Sequence, residues 1–366
     1  MIPEIWRLLD LGFAEPYTAQ AFYEAVAKTV ADKDSPNTII LVSPSAPYVC
    51  IGFHQELERE IDVEFCRREG LPIIRRGQGG GATYLDSSQV FYQVVANEGS
   101  ESIPAGVEAI FKKILQVPVN VYRTLGLPAE YKSLNDVVIE GNRKISGNGA
   151  GRLDGAIVLV GNIILDLDYD MMGSVLKVPS EKFRDKLAKS MREWVTSLNR
   201  ELGRAPTPDE VKSLLAQEFE KVLDIRLVKG EASEEEKRVF REEVLPRHRS
   251  REWLYMPEQR HRELEGLRKV KISGDARLVE ADHKAGKMIR VTLEIEQNTL
   301  KDVFISGDFF MVPEDKLPLL EENLRGTAAD SPEIYRRVRK FYEDNKVETP
   351  GVTVDDLSTA IMKALK

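Results

Sequence analysis

Two arginines followed by three consecutive glycines make Arg75–Asp86 the part of the sequence best suited to hold an anion. Because the Gly79–Gly81 run has no side chains, a ligand can lie directly on its backbone, and Arg75 and Arg76 could neutralise a phosphate or a carboxylate. The apolar runs on either side are typical of buried strands. Neither a Gly-Lys-Ser/Thr sequence nor a helix follows the glycines, which excludes the usual nucleotide-hydrolase and dinucleotide-binding loops. A tight hairpin that merely needs positive φ explains the same residues equally well.

A second motif supplies an amide, a carboxylate and a lysine within a short stretch. Asn135 and Asp136, in the segment 133–136, could bind an adenine amino group, a ribose or a divalent ion. Lys144 stands between two glycine-containing turns on a predicted strand, from which it could reach a phosphate or polarise a carbonyl oxygen as charge develops there. Taken alone, the same pattern indicates a surface hairpin with a solvated lysine.

The elements that would position these residues follow from the hydrophobic periodicity. The chain begins with a predicted helix, Tyr17–Val30, and continues through strands that flank the glycine turn. Asp136–Glu140 and Arg143–Gly147 are typical of a β-hairpin, and Ala156–Val160 with Ile163–Leu165 of a further strand pair.

Helices dominate from residue 180 onwards. Ser180–Leu202 carries its apolar residues, Trp194 among them, on one stripe that we expect to be core. Glu231–Glu243 is a charge run typical of a solvated helix. We predict a first domain of residues 1–248 and a second of residues 249–366, which contains an antiparallel hairpin, a third strand and a helical tail.

The composition narrows the class of protein and its partners. The chain has 366 residues, of which 42% are hydrophobic and 31% charged, a globular balance with enough length for two domains. The net charge of −8 argues against nucleic acid as a partner. We see no run that would span a membrane and no signal peptide, so we expect a cytoplasmic protein without a membrane partner. The two cysteines are expected to be reduced, and the four histidines lack metal-ligand spacing.

Together the two motifs resemble those of the lipoate–protein ligase family. That family carries Arg-Arg-x-Ser-Gly-Gly-Gly-Ala-Val-Tyr/Phe-His-Asp, then Asn-Asp and Gly-x-Lys-Lys/Arg-Ile-Ser-Gly, which Arg75–Asp86, Asn135–Asp136 and Gly141–Gly147 match in order and spacing. Ile51–Gln55 is similar to the family's Ile-Gly-x-x-Gln, and the C-terminal part resembles the accessory domain of the long ligases. The resemblance implies an α/β (α+β) fold of the biotin/lipoate-ligase type. We therefore expect a mixed, largely antiparallel sheet with flanking helices, plus a smaller α+β accessory domain.

The resemblance further implies a two-step reaction that uses ATP and Mg²⁺. Lipoate or octanoate attacks the α-phosphorus of ATP to give acyl-AMP and pyrophosphate, and a lysine of an acceptor lipoyl domain then displaces AMP. The acceptor would be the acyltransferase subunit of a 2-oxoacid dehydrogenase, a protein similar to the H-protein of glycine cleavage, or another lipoyl carrier. We expect the ligase itself to be a monomer.

The resemblance also implies roles for individual residues. Lys144 would contact the acyl carbonyl and phosphate oxygens and stabilise the charge that builds in both steps, and Asp136 is the candidate ligand of Mg²⁺. The residues expected to bind substrate or nucleotide are Arg75, Arg76, Gly79, Gly80, Gly81, Ala82, Thr83, Tyr84, Asn135, Asp136, Gly147, Asp154 and Gly155.

The chain departs from the family pattern at three positions. Gln78 replaces the serine before the three glycines, and Leu85 replaces the histidine that precedes Asp86. Asp154–Ala156 is taken to stand where the family has His-Gly-Thr, near the reacting centre. We expect these changes to affect the choice of acid and of acceptor more than the chemistry with ATP.

Two other functions stay open on the sequence. Octanoyltransferases of the same fold use a cysteine nucleophile and no ATP, but Cys50 lies in an apolar strand, Cys66 lies on a short helix, and neither follows the lysine motif as in those enzymes. A non-catalytic protein that binds lipoate or acyl-AMP is the second alternative, which the acid at Asp154 favours and Lys144 disfavours. Biotin ligases, also relatives, use a Gly-Arg-Gly-Arg loop that this sequence lacks.

Overall fold

The computed structural model describes residues 3–132, 134–178, 181–260 and 276–365. Ser133 of the second motif and Ser180, the predicted first residue of a helix, lie outside the described residues.

The chain divides into two compact units. The first consists of Met1–Cys50, Ile61–Arg76 and Thr83–Ser250, and the second of Ile51–Glu60, Gly77–Ala82 and Arg251–Lys366. The glycine turn and the loop at residues 51–60 are thus grouped with the C-terminal residues, which the sequence analysis does not predict.

The first unit is built on one large mixed sheet and one small sheet. Its strands are β1 (Glu4–Ala14), β2 (Thr38–Pro44), β3 (Tyr48–Ile51), β4 (Ile73–Arg75), β5 (Thr83–Leu85), β6 (Gln89–Asn97), β7 (Glu130–Lys132), β8 (Asp136–Ile139), β9 (Arg143–Leu153), β10 (Ala156–Ile164) and β11 (Ile225–Gly230). Among the described residues, eight strands form the large sheet in the order β11-β1-β2-β6-β10-β9-β8-β7, and three form the small sheet in the order β4-β3-β5. In the large sheet β1 pairs in parallel with β2 and β11, and the other neighbours are antiparallel. The predicted mixed, largely antiparallel sheet is confirmed.

Helices flank this sheet. In the first unit they are α1 (Pro16–Ala31), α3 (Val63–Arg68), α4 (Val107–Ile114), α5 (Gln116–Thr124), α6 (Tyr169–Val175), α7 (Glu181–Trp194), α8 (Leu198–Leu202), α9 (Pro208–Leu223), α10 (Glu234–Val239) and α11 (Leu245–Arg249), whereas α2 (Leu57–Glu60) belongs to the second unit. Of the helices that the structure describes, none is long and apolar enough to cross a membrane.

Helix α1 confirms the predicted helix at residues 17–30. The Glu15 carboxylate accepts a hydrogen bond from the Tyr17 N–H at 2.7 Å, and Pro16 occupies the first turn, where its missing N–H costs no hydrogen bond. The helix packs with Ile40, Val95 and other buried residues of the central strands in one core.

Strand β1 is an element that the sequence analysis does not predict. Its Arg7 is buried and forms an ion pair with Glu236 of α10, which is itself fully buried. Arg7 also donates to the Thr38 hydroxyl at 3.1 Å. The prediction that the charge run 231–243 is a wholly solvated helix is therefore wrong at Glu236.

Two further predictions are wrong in detail. Residues 156–164 form the single strand β10, which pairs with β6 on one side and β9 on the other, and not a strand pair. The predicted helix at 180–202 is divided into α7 and α8, and Trp194 is 62% exposed rather than part of the core.

The second unit has its own sheet and core. Strands β12 (Ala276–Ala285), β13 (Lys287–Glu296) and β14 (Thr299–Gly307) form an antiparallel sheet, which confirms the predicted hairpin and third strand. Besides α2, its described helices include α12 (Arg251–Leu254), α13 (Lys316–Leu324), α14 (Ser331–Asn345) and α15 (Val354–Leu365). Apolar residues of β13, β14 and the last three helices form one core.

Candidate active site

Lys144, at the start of β9, forms an ion pair with Asp136 at the start of the neighbouring strand β8. The Lys144 Nζ lies 2.6 Å from Asp136 Oδ1, and the side chains are 34% and 35% exposed. The antiparallel pairing of β8 with β9, with an irregularity between Val137 and Val138, brings the two residues together. An ion pair this accessible to water contributes little stability. Breaking it so that the Lys144 ammonium can bind a ligand anion therefore costs little free energy.

Gly147 provides the surface on which the Lys144 side chain lies. A Cβ added at Gly147 would be 3.4 Å from Lys144 Cε and 3.5 Å from Nζ. The Gly147 N–H donates to the side-chain oxygen of Asn162 on β10 at 2.9 Å. Gly147 is predicted to bind substrate or nucleotide, but its N–H is engaged within the protein, and the glycine makes room for the lysine.

Strands β9 and β10 separate beside Lys144. Their backbone ladder runs from the Leu153–Ala156 pair to the Asn148–Gly161 pair, while β10 continues along β6 as far as Ile164. Side chains replace the ladder beyond that point. Asn162 joins Gly147 to Gln89 of β6, to which it donates at 2.7 Å.

Tyr122 of α5 also connects β9 and β10 where their backbone pairing has ended. Its hydroxyl donates to the carbonyl of Ile145 on β9 at 2.6 Å and accepts from the N–H of Ile164 on β10 at 3.1 Å. Burial raises the pKa of Tyr122 well above its usual value, so the hydroxyl stays protonated and can fill both roles. The backbone that carries Lys144 is thus held in place by side chains.

Asn135 fastens the start of β8 to β9. Its amide nitrogen donates to the Asn148 carbonyl, and the Asn148 amide donates in return to the Asn135 carbonyl at 2.9 Å. The Tyr92 hydroxyl donates to the side-chain oxygen of Asn148. Because Asn135 is buried and its amide is used in this way, the geometry favours a positioning role over the predicted contact with adenosine.

The two arginines differ in accessibility. Arg75, the last residue of β4, is 0% exposed, whereas Arg76 is half-buried. A guanidinium nitrogen of Arg76 lies 3.4 Å from the Cys50 sulfur. Of the two, Arg76 is the better placed to meet an anion from solvent.

A different structural feature accounts for the absence of a side chain at each glycine of the turn. A Cβ at Gly79 would lie 2.3 Å from the carbonyl oxygen of Phe309, in the same unit. Gly80 has a φ of 100°, which side-chain-bearing residues rarely adopt. An added Cβ at Gly81, which is exposed, would meet no atom within 4 Å. Gly81, followed by the partly exposed Ala82, is thus the glycine whose backbone a ligand could approach.

Thr83 and Tyr84 continue from the turn into β5. They pair with Cys50 and Val49 of β3. Tyr84 is buried, and its burial, followed by the nearby charge of Asp86, raises its pKa to about 12. Tyr84 therefore stays neutral at physiological pH.

Two predicted site residues, Asp154 and Gly155, lie away from Lys144 along β9. Both residues are exposed and form the turn between β9 and β10, with φ values of 52° and 90°. Asp154 is ten residues from Lys144 along the strand, which is roughly 30 Å at the usual rise per residue. The residue of β10 that contacts the Lys144 region is Asn162, which accepts a hydrogen bond from the Gly147 N–H.

Gly161 and Asn162 lie close to the candidate site, although neither belongs to a recognised sequence motif. A Cβ at Gly161 would lie 2.1 Å from the Asn148 side-chain oxygen and 2.4 Å from the Tyr92 hydroxyl. The sequence feature that could have identified them is a glycine followed by an asparagine inside an apolar strand, because a glycine there indicates close approach of another group.

The donors around Asp136 do not form a metal site by themselves. Among the residues that the structure describes, no group of three or more His, Cys, Asp or Glu side chains could hold an ion. Asp136 is already paired with Lys144. Mg²⁺ usually combines one or two carboxylates with substrate phosphates, so Asp136 could contribute only after Lys144 has left it.

Comparison with known proteins identifies the family. Residues 15–220 match the family model of the lipoyl protein ligase A/B catalytic domain. Octanoyltransferase LipM of Geobacillus kaustophilus is 29% identical over 278 residues, which are 70% of this chain and 99% of that protein. Lipoate-protein ligase A subunit 1 of Thermoplasma acidophilum is 31% identical over 242 residues, which are 64% of this chain and 89% of that protein.

Solved structures agree with this family. The bi-partite lipoate protein ligase of Thermoplasma acidophilum has a TM-score of 0.61 at 29% identity, over 70% of this chain and 97% of that one. Lipoate-protein ligase A bound with ATP has a TM-score of 0.58 at 25% identity, over 70% and 99%. P. falciparum LipL1 in complex with lipoate has a TM-score of 0.68 over 98% and 99%, and at 14% identity this likeness concerns the fold alone. The chain belongs to the lipoyl protein ligase A/B family, with the biotin/lipoate-ligase-like fold that its motifs imply.

Proposed function

We propose that this chain is an ATP-dependent, AMP-forming lipoate–protein ligase that activates lipoate or octanoate and transfers it to a lysine of a lipoyl domain. The observation that carries the proposal is the contrast between its reactive groups. Both cysteines are buried, whereas Lys144 and Asp136 are accessible from solvent.

A cysteine nucleophile must be accessible and readily ionised. Cys66 is fully buried, and this burial, followed by the nearby Asp62, raises its pKa to about 11. Cys50 is buried in β3 and is therefore not accessible to an acyl donor. These properties favour the ligase over an octanoyltransferase that forms an acyl-cysteine intermediate.

The relatives support both activities. Octanoyltransferase LipM is a relative over 70% of the chain, and this similarity is the observation that keeps ATP-independent octanoyl transfer as the second candidate function. Lipoate-protein ligase A subunit 1 and the ligase A structure with ATP support the first. The third candidate, a non-catalytic binder, loses its main argument because Asp154 lies far from Lys144 along β9.

In the proposed first step, a carboxylate oxygen of the acid bonds to the α-phosphorus of ATP, and the bond to pyrophosphate breaks. In the second step, the neutral amine of the acceptor lysine bonds to the acyl carbon, the bond to AMP breaks, and the amine loses a proton. Negative charge builds on phosphate oxygens in the first step and on the carbonyl oxygen in the second. The Lys144 ammonium, released from Asp136, would stabilise both.

The binding groups proposed around this chemistry are fewer than the sequence analysis predicts. Arg76 is the proposed contact for an anionic substrate in the first unit, and the exposed backbone of Gly81 in the second unit stays a predicted ligand contact. Asn135, Gly147 and Asn162 would position Lys144. Mg²⁺ would enter with the triphosphate, and its chemistry there would be to neutralise phosphate charge.

Mass spectrometry of acceptor domains would test the proposal. The protein is incubated with a panel of apo lipoyl domains, either with lipoate or octanoate plus ATP, or with octanoyl-acyl carrier protein without ATP. Acylation that requires the free acid and ATP supports the ligase. Acylation from the carrier protein alone would replace it with the transferase, and no acylation in either arm would contradict both.

A further inference from the structure

Arg143, the residue before Lys144 on β9, has a stronger ion-pair partner than Lys144 has. Its guanidinium group binds both oxygens of the Glu201 carboxylate, with Nη1 contacting Oε1 and Nη2 donating to Oε2 at 3.0 Å. The Arg143 and Glu201 side chains are 28% and 14% exposed, against about one third for Lys144 and Asp136. A bidentate arginine–carboxylate pair is stronger and more directional than a single lysine contact. Of the two adjacent cations, Arg143 is therefore held more firmly, and Lys144 is freer to move.

The same carboxylate also binds the segment that pairs with the Lys144 backbone. The Thr196 N–H donates to the Lys144 carbonyl at 2.8 Å, and Val195 forms a parallel bridge with Lys144. Thr196 is fully buried, and its hydroxyl donates to Glu201 Oε1. Glu201 thus holds the residue before Lys144 directly and, through Thr196, the carbonyl of Lys144 itself.

Helix α8 gives Glu201 an anchor that does not depend on Lys144. The Asn199 N–H donates to the Leu165 carbonyl at 2.8 Å, and the Asn199 amide donates to the Asp166 carboxylate at 2.9 Å. Leu165 and Asp166 directly follow β10 of the large sheet. Glu201 therefore restricts the start of β9 from a position that is fixed to the end of another strand.

The proposed chemistry needs a fixed backbone at Lys144. The ammonium must leave Asp136 and meet the substrate oxygens while the rest of the lysine stays in place. A charge stabilises a transition state well only when it is preorganised, and a misplacement of about 1 Å can cost about 100-fold in rate. Loss of the Glu201 carboxylate would loosen the Lys144 backbone and leave the Arg143 guanidinium group unpaired beside the reacting lysine.

We propose that Glu201 is a positioning residue for Lys144. It holds Arg143 and Thr196 and so fixes the backbone from which the Lys144 ammonium reaches the phosphate and carbonyl oxygens. This inference rests on the proposed function, because the role of Lys144 is part of that function. It adds to the machinery of the reaction a residue that lies outside both sequence motifs.

Steady-state kinetics of ATP–pyrophosphate exchange by the full-length Glu201→Ala variant would test this role. We expect kcat with lipoate or octanoate to fall about tenfold or more, because the ammonium would no longer be aligned in the transition state. The KM values for ATP and for the acid should stay within about twofold of wild type, as expected for an interaction that acts only in the transition state. Glu201→Gln keeps an oxygen that can accept from Thr196 and Arg143, and it should recover part of the lost kcat.

Hydrogen exchange of the backbone amides gives a second readout, which needs no enzymatic activity. Glu201→Ala should raise the exchange rate of the Thr196 N–H, whose acceptor is the Lys144 carbonyl. Asp10→Ala is the matched control, because it removes an ion pair elsewhere in the first unit, in which Asp10 lies 2.6 Å from the buried Lys212. This control should leave both kcat and the exchange rate of the Thr196 N–H at wild-type values.

The outcomes separate the role of Glu201 from the proposed function. Wild-type kcat in Glu201→Ala, or unchanged exchange of the Thr196 N–H, would overturn the positioning role while leaving the ligase proposal intact. An equal fall of kcat in Asp10→Ala would also overturn it, because the defect would then follow from lost stability. Absence of pyrophosphate exchange in the wild-type protein would instead refute the proposed function, and the role of Glu201 with it.

Discussion

Among the individual residues, the partly accessible pair Lys144–Asp136 is central to the proposed chemistry. The ammonium and carboxylate are 2.6 Å apart and about one third exposed. An ion pair in such a position is weak. Asp136 therefore orients the Lys144 ammonium, but the ammonium can leave Asp136 and bind a phosphate or carbonyl oxygen of the substrate.

Lys144→Ala should lower both exchange and acceptor acylation at least about 100-fold, since it removes the charge that stabilises both steps. Melting temperature should change little, because the ion pair is about one third exposed and such pairs contribute little stability. Lys132→Ala, which alters an exposed lysine on the nearby strand β7, is the control and should keep wild-type rates. Near-wild-type acylation by Lys144→Ala would show that its assigned role is wrong.

In contrast to Lys144, the two cysteines are expected to be unreactive and dispensable for activity. Because the Cys66 pKa is about 11 and both thiols are buried, iodoacetamide at pH 8 should label the folded protein slowly. Labelling of Cys66 should accelerate as the pH rises toward 11, where its thiolate forms. Cys50→Ala and Cys66→Ala should each retain acylation activity. A folded but inactive cysteine variant would reopen the octanoyltransferase hypothesis.

At the scale of elements, the glycine turn combines packing with possible binding. Gly79 meets the backbone of Phe309, whereas Gly81 faces open space. Gly79→Ala should therefore destabilise the protein by roughly 1–3 kcal/mol, seen as a lower midpoint of thermal unfolding. Gly81→Ala is the matched substitution and should leave the midpoint unchanged. Equal midpoints for the two variants would refute this distinction.

Asn162 bridges the place where β9 and β10 separate, so its substitution tests whether this bridge supports Lys144. Asn162→Ala removes the acceptor of the Gly147 N–H and the link to Gln89, which should cost roughly 1 kcal/mol of stability. Because Gly147 supports the Lys144 side chain, the kcat of exchange should fall about tenfold. Asn323→Ala, at an exposed asparagine of the second unit, should change neither quantity. A lower stability with normal kcat would show that Asn162 has a structural role only.

The sequence predicts these elements unequally, for physical reasons. Helix α1 has local signals, a proline at its start and a long apolar face, and its prediction is confirmed. The contact between Gly147 and Asn162 depends on strand pairing, which local patterns do not specify, so the sequence motifs do not predict it. Trp194 fits the apolar stripe of a helix, but periodicity cannot tell whether a stripe is covered.

At the scale of the whole molecule, the family relationship is concentrated in the first unit. The family model matches residues 15–220, and the bi-partite ligase covers 70% of this chain. The likeness to LipL1 covers 98% of it, so the fold of the second unit also has a counterpart in that structure. The predicted site residues are divided between the units, since Gly79–Ala82 belong to the second.

Contacts within the second unit explain why the glycine turn is grouped with the C-terminal residues. The Phe53 N–H donates to the Gln78 carbonyl at 2.9 Å, and the Gly307 N–H donates to the His54 carbonyl at 3.1 Å. The His54 ring stacks on Phe309, with centroids 5.0 Å apart. The loop, the glycine turn and the end of β14 are therefore one packed assembly, which the sequence motifs alone do not reveal.

The most direct test of the central claim is acid-dependent ATP–pyrophosphate exchange by the full-length protein. The account predicts exchange with lipoate or octanoate that persists in Cys50→Ala and Cys66→Ala and is lost in Lys144→Ala. No exchange with either acid, from a protein that acylates a lipoyl domain without ATP, would contradict it.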